Sequence, residues 1–253
     1  MRLLVTRPQP QADAWVRRLA EAGFEACAVP LLHTEACGDV AGVPAQQRIT
    51  QAAGLVFVSP AAATHFFEQV PAAPWPAARW AAAPGPGTAE RLVALGVPAG
   101  CIVQPAADAA QFDSESLWQQ LQPRVQAGML VVIVRGDGGR DWLADTLRAA
   151  GAQVDFVQAY RRTAPRLRPA EQAALQAALA QPAEHLWLFS SAEAIGHLQS
   201  LAPGADWQPA QALATHPRIE ARARALGFGR VLFSRPSFDA VALAARALHG
   251  THE

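Results

Sequence analysis

The side chains able to do chemistry in this chain sit in short turns. The turns are Thr6-Arg7-Pro8, Ser59-Pro60-Ala61, Pro84–Thr88 (with Gly85, Gly87 and Thr88), Arg135–Arg140, Ser190-Ser191-Ala192 and Thr215–Arg218 (with His216). Each follows a short apolar run and precedes a helical pattern. Each therefore sets backbone N–H groups at a helix start, a place that attracts anions. Arg135-Gly136-Asp137-Gly138-Gly139-Arg140 is the richest of them, with three glycines between two arginines. A helix start alone does not require that, and the spacing is not the GxGxxG of a dinucleotide site. The serines at 59, 190 and 191 read as helix N-caps and as ligand contacts alike. Gly85 and Gly87 serve turn geometry or close approach to a ligand. His216, before Pro217, is a local cap or a base. Tyr160 is the only tyrosine; at the end of a strand it either covers a link or acts as a weak acid. No turn contains a Ser/His/Asp set, a carboxylate dyad or a metal cluster. They are anion sites without an obvious nucleophile or base.

Composition narrows the chemistry further. The chain of 253 residues has no lysine, so all 21 basic residues are arginine. A Schiff-base enzyme and a Walker A nucleotidase both need a lysine amine and are excluded. Anions here must meet arginine forks, hydroxyls or backbone N–H groups. The formal net charge of zero leaves no bulk field for nucleic acid or anionic lipid. With 51% hydrophobic residues the chain is globular. Cys27, Cys37 and Cys101 lack CxxC spacing and suit a reducing compartment. No apolar run reaches the length of a membrane span, and no signal-peptide core opens the chain, so a cytoplasmic protein is expected.

The elements that must position these turns alternate. Strands are expected at Leu3–Val5, Glu25–Val29, Gly54–Val58, Arg79–Ala83, Cys101–Gln104, Val131–Val134, from Val154, and at His185–Phe189, Ala210–Ala214 and Val231–Phe233. Helices fall between them, among them Gln11–Ala22, Ser114–Leu121 and Phe238–Leu248. Loops are expected at 71–76 and 105–112, and links near Leu31–Cys37 and Tyr160–Arg168. Such alternation predicts parallel sheets covered on both faces, with ligands beyond the carboxyl ends of the strands. A long-period duplication runs through the pattern. Leu3–Leu32 lies on Val131–Tyr160 without a gap, placing Arg7 on Arg135, Asp13 on Asp141 and Gly23 on Gly151. Leu55–Val70 resembles Leu186–Leu201, with Ser59 on Ser190, and Ala81–Val97 resembles Ala212–Phe228.

Read in order, LLVTRP (3–8), FVSP (57–60), APGPGTA (83–89), VRGDGGRDW (134–142), VQAYRR (157–162), FSSA (189–192) and THPRI (215–219) resemble the uroporphyrinogen-III synthase family. The resemblance implies an α/β fold of two flavodoxin-like domains with parallel sheets, joined by a two-stranded β-link. One domain would combine residues 1–35 with 172–253; the other would be an insert over 38–165. It implies closure of the linear tetrapyrrole hydroxymethylbilane with inversion of ring D and loss of water, held in a cleft between the domains, with no cofactor and no metal. Tyr160 matches the tyrosine proposed in that family to help the hydroxyl leave. The expected substrate contacts are Thr6, Arg7, Ser59, Pro60, Gly85, Gly87, Thr88, Arg135, Gly136, Gly139, Arg140, Ser190, Ser191, Thr215, His216 and Arg218. A cytoplasmic monomer is expected, meeting hydroxymethylbilane synthase transiently, and neither nucleic acid nor a membrane as partner. Two other readings fit the same turns: a non-catalytic two-domain binder of an organic polyanion, and a flavodoxin-like nucleotide or phosphate binder.

Overall fold

The computed structural model describes residues 1–38, 40–70, 73–106, 109 and 111–249. The expected loops at 71–76 and 105–112 lie partly outside them. The chain divides into two compact units, Met1–Thr34 with Thr163–Glu253, and Glu35–Arg162.

The first unit holds β1 (Arg2–Val5), α1 (Gln11–Glu21) and β2 (Ala26–Ala28). The chain leaves through β3 (His33–Ala36) into the second unit. That unit comprises α2 (Val43–Gln51), β4 (Gly54–Phe57), α3 (Pro60–Gln69), β5 (Trp80–Ala82), α4 (Pro86–Ala94), β6 (Ile102–Val103), α5 (Ser114–Leu121), β7 (Leu130–Arg135), α6 (Trp142–Ala149) and β8 (Gln153–Gln158). It returns through β9 (Tyr160–Thr163) to α7 (Pro169–Ala180), β10 (His185–Phe189), α8 (Ala192–Leu201), β11 (Gln211–Ala214), α9 (Pro217–Leu226), β12 (Arg230–Phe233) and α10 (Phe238–His249). β3 and β9 pair as a two-stranded antiparallel sheet.

Both large sheets are parallel and five-stranded. Their orders are β12-β11-β10-β1-β2 and β6-β5-β4-β7-β8. Numbered along each unit's own chain, the first is the flavodoxin order and the second its circular permutation, because the second unit enters at β4 and not at β7. The duplicated segments match strand for strand: β1 with β7, β2 with β8, β10 with β4 and β11 with β5. In each unit the strand order reverses direction between the two central strands. That is β1 against β10, with Leu3 beside Leu186, and β4 against β7, with Leu55 beside Val132.

The central strands are apolar throughout because both faces are covered. Leu55 and Phe57 face one core with Phe66 and Leu92; Val56 faces the other with Leu117 and Leu147. In the first unit Leu4, Trp187 and Phe189 fill one face, and Leu3, Val5 and Leu188 the other. Helix ends follow their punctuation. Gly23 and Gly151, paired by the duplication, take φ of 86° and 88° just after α1 and α6, a left-handed turn that other residues resist. Among the described residues no helix is long and apolar enough to cross a membrane.

Candidate active site

At the carboxyl edge of the second unit, Ser59 follows β4 and Gly136 follows β7, the two strands that flank the reversal. Tyr160 stands over them. It begins β9 one residue beyond β8, so a link strand, not the sheet, carries the phenol. Its ring is 6% exposed and packs on the core face shared with Phe57 and Phe66. The hydroxyl lies 3.1 Å from Ser59 Oγ. Ser59 also caps α3, its Oγ accepting the Ala62 N–H at 3.1 Å, with Pro60 opening the helix. The imidazole of His65 stacks on the phenol with ring centroids 5.8 Å apart. Gln69 Nε2 donates to the carbonyl of Ala159 at 2.9 Å, fixing the residue before the tyrosine. Gly136 lies flat against the ring: a Cβ there would stand 2.7 Å from Tyr160 Cζ. One face of α3 and one glycine thus hold the phenol in place.

The neighbouring turn brings Gly85 and Gly87 alongside. Gly85 is the N-cap of α4, Pro86 its first residue, and a Cβ on Gly87 would touch Pro60 Cγ at 3.9 Å. Thr88 is buried in the first turn of that helix. The starts of α3 and α4 therefore lie side by side, and their dipoles both favour an anion at this edge.

In the charged turn, where the sequence sets two guanidinium groups at a helix start, each arginine has a carboxylate partner. Arg135 donates to Asp141 Oδ1 at 2.6 Å and lies 3.8 Å above the Phe156 ring. Arg140 grips Glu115 with both terminal nitrogens, at 2.5 and 3.0 Å. That hydrogen-bonded carboxylate holds the Arg140 guanidinium above its ordinary pKa. Asp137 Oδ1 accepts the Arg162 N–H at 3.0 Å. Each charge of the turn has a partner within its own unit. Among the expected residues here, Gly136 and Gly139 offer backbone only, and Gly139 has a φ of 135°.

At the carboxyl edge of the first unit the same ground plan carries different chemistry. The position matching Tyr160 is Leu32, so this edge has no phenol. Thr6 Oγ1 donates to the Leu188 carbonyl at 2.7 Å and Thr215 Oγ1 to the Phe189 carbonyl at 3.2 Å. The Thr215 N–H goes to that same carbonyl. Both threonines thus tie their strands to β10, against the expectation that their donors face a ligand. Arg7 is buried with its guanidinium 4.1 Å over the Trp15 ring. Ser191 caps α8, accepting the Glu193 N–H at 3.2 Å, and Ser190 precedes it. His216 Nδ1 accepts the Arg218 N–H at 3.1 Å as the N-cap of α9. Arg218 is exposed in the first turn of α9 and has no carboxylate partner among the described residues. A cation there opposes the helix dipole, which an incoming carboxylate would relieve.

Sequence reasoning missed His65 and Gln69, whose i, i+4 spacing on α3 was the only available signal. It also missed two apolar residues at the edge of the second unit, Val58 and Trp142, each 38% exposed. No group of three His, Cys, Asp or Glu positioned for a metal occurs among the described residues.

A family model described as Uroporphyrinogen-III synthase HemD matches residues 13–242. The uroporphyrinogen-III synthase of Salmonella typhimurium is 33% identical over 176 residues, 68% of this chain and 70% of that protein. That of Escherichia coli is 31% identical over the same shares. The structure of uroporphyrinogen-III synthetase from Helicobacter pylori aligns with a TM-score of 0.61 at 15% identity, over 98% of this chain and 100% of that one. A mutant uroporphyrinogen III synthase from Thermus thermophilus aligns at 0.54 and 16%, over 100% of both chains. At these identities the two structures speak to the fold alone, while the family model and the relatives speak to descent. The chain belongs to the uroporphyrinogen-III synthase family.

Proposed function

We propose that this enzyme closes hydroxymethylbilane to uroporphyrinogen III, with Tyr160 as the acid that releases the terminal hydroxyl. The observation that carries the reading is the 3.1 Å contact between Tyr160 Oη and Ser59 Oγ at the strand reversal of the second unit. Ser59 accepts from Ala62 N–H, which leaves its own proton to donate to the phenol oxygen. In this reading the phenol proton is the one passed to the substrate. As the C–O bond breaks, Tyr160 gives that proton to the departing hydroxyl, water leaves, and the positive charge spreads over the pyrrole. The phenolate left behind keeps the Ser59 hydrogen bond and the nearby helix starts, all of which favour negative charge. Ring D attacks through its substituted carbon to give a spiro intermediate, which rearranges. The proton lost when the macrocycle regains its pyrroles balances the one Tyr160 supplied.

The substrate's carboxylates suit the remaining groups. In the second unit these are the N–H groups around Pro60, Gly85, Gly87, Thr88, Gly136 and Gly139, with Arg135 and Arg140 as cations already shared with carboxylates. On the edge of the first unit they are Ser190, Ser191, His216 and Arg218, supported by Thr6, Arg7 and Thr215. The reacting cation is delocalised, so the protein's contribution is largely orientation, which can be worth several powers of ten. The three free cysteines are consistent with a reducing cytoplasm. Each unit has its own core, which suits a monomer. A substrate that closes unaided to the type I ring favours brief contact with hydroxymethylbilane synthase.

Tyr160→Phe tests the assignment. General acid assistance is worth about 10²–10⁴-fold at most, and the electron-rich pyrrole itself helps to expel the hydroxyl. The expected loss in the rate of type III formation is roughly ten- to a hundredfold. Ser59→Ala should cost less, and the double variant little more than Tyr160→Phe, because the pair acts as a unit. Full turnover by Tyr160→Phe would remove the tyrosine from the chemistry.

A further inference from the structure

The second unit contains a cavity of about 460 Å³ among the ends of α2, α3 and α4, within the size range of small-molecule sites. None of the turn residues described above lines it. Its walls are Ile49, Phe66, Phe67, Trp75 and Leu95, and Arg79 stands among them. The aromatic rings form a continuous set: Phe57 stacks on Phe67 at 6.0 Å, and Phe67 lies 6.3 Å from Trp75. The Trp75 indole is pinned, its Nε1–H donating to the Arg79 carbonyl at 2.7 Å.

Arg79 gives the cavity its polarity. Nε donates to the carbonyl of Ala52 at 3.1 Å and Nη2 to that of Thr50 at 2.8 Å, which clamps the end of α2. Nη1 makes no hydrogen bond, and no carboxylate pairs with the group, among the described residues. The guanidinium lies 5.9 Å from the Trp75 ring. Burial without an anion pushes its pKa down. A half-buried cation beside stacked aromatics is incomplete as a structural device, because the two carbonyls satisfy only part of the fork.

We propose that this cavity is a second binding site, for a planar aromatic acid whose ring lies among Phe66, Phe67 and Trp75 and whose anion meets Arg79. The geometry separates ring recognition from charge recognition, so two dyes of one shape test it. 1-Anilinonaphthalene-8-sulfonate carries the anion and N-phenyl-1-naphthylamine lacks it. Titrated into the intact protein with fluorescence detection, the sulfonate should bind saturably at one site per chain, about tenfold tighter than the neutral dye. Arg79→Gln should erase that preference while leaving the neutral dye's affinity in place. Leu95→Trp, which fills the cavity and leaves the clamp of α2 intact, should weaken both dyes more than about tenfold. Circular dichroism and bilane turnover confirm that each variant is folded. The proposal is overturned if the wild type binds neither dye saturably, if it binds both equally, or if folded Leu95→Trp binds them as the wild type does.

Discussion

Tyr160 keeps its hydroxyl against Ser59 because the residue behind its ring has no side chain. A Cβ at Gly136 would lie 2.7 Å from Cζ and 2.9 Å from Cε2 of the phenol. Gly136→Ala must therefore push the ring away from Ser59 or strain the turn, and overpacking of this kind costs about 1–3 kcal/mol. The expected outcome is a lower Tm together with a fall in turnover approaching that of Tyr160→Phe. Turnover equal to wild type in a variant with a lowered Tm would show that the ring's position is not critical. The sequence made this turn legible as a special place, through three glycines between arginines, but it suggested an anion fork. The structure shows a glycine that seats a tyrosine, and arginines paired with Asp141 and Glu115. The tyrosine that Gly136 seats lies beyond a whole strand, and the partner of Arg140 lies in α5, so local spacing could not reveal either contact. The caps were readable, since Ser59, Ser191 and His216 each bond an N–H within three residues.

Among the elements, α7 is tied to α1 by a polar cluster just after the return link. Arg168 reaches Glu171 at 2.6 Å and Asp13 at 3.3 Å, and Gln9 Nε2 donates to both Asp13 and Glu171. Burial alone would raise the Glu171 pKa. Hydrogen bonds from the Arg168 side chain and N–H and from Gln9 outweigh it and hold the carboxyl below its ordinary value. A carboxylate with a depressed native pKa adds stability above its unfolded pKa and loses it as pH falls through the native one. Glu171→Gln should thus lower Tm by several degrees near neutrality. The gap to wild type should close below the ordinary carboxylate range of about pH 4. A gap that stays constant from neutral to acid pH would mean that packing, not charge, ties these helices. None of this was legible beforehand. Periodicity placed α1 and α7, but it does not tell which polar ends meet. Strand and helix identities were readable because buried parallel strands are apolar runs and because α1, α4, α6 and α9 end at left-handed glycines. Residues 160–163 read as link, and the pairing of β9 with β3 could be expected only from the family resemblance.

At the scale of the whole molecule, one parallel five-stranded plan occurs twice, with the second copy permuted. The duplication was visible in the sequence as matched segments, and the matched strands occupy matched places in the two sheets. What the copies do not share is chemistry. The reversal in the second unit holds Ser59, Gly136 and Tyr160, whereas the first has Leu32 where the tyrosine would be. On the proposed reading, closure of a bilane calls for one acid and for carboxylate contacts that backbone donors can supply, and backbone donors leave little trace in residue identity. The central claim is that this molecule directs closure to the inverted ring. Hydroxymethylbilane generated in situ, exposed to the protein, then oxidised and resolved by chromatography reports the isomer directly. Uroporphyrin III in large excess over uroporphyrin I is the expected result. Type I alone, from protein shown to be folded, would contradict it.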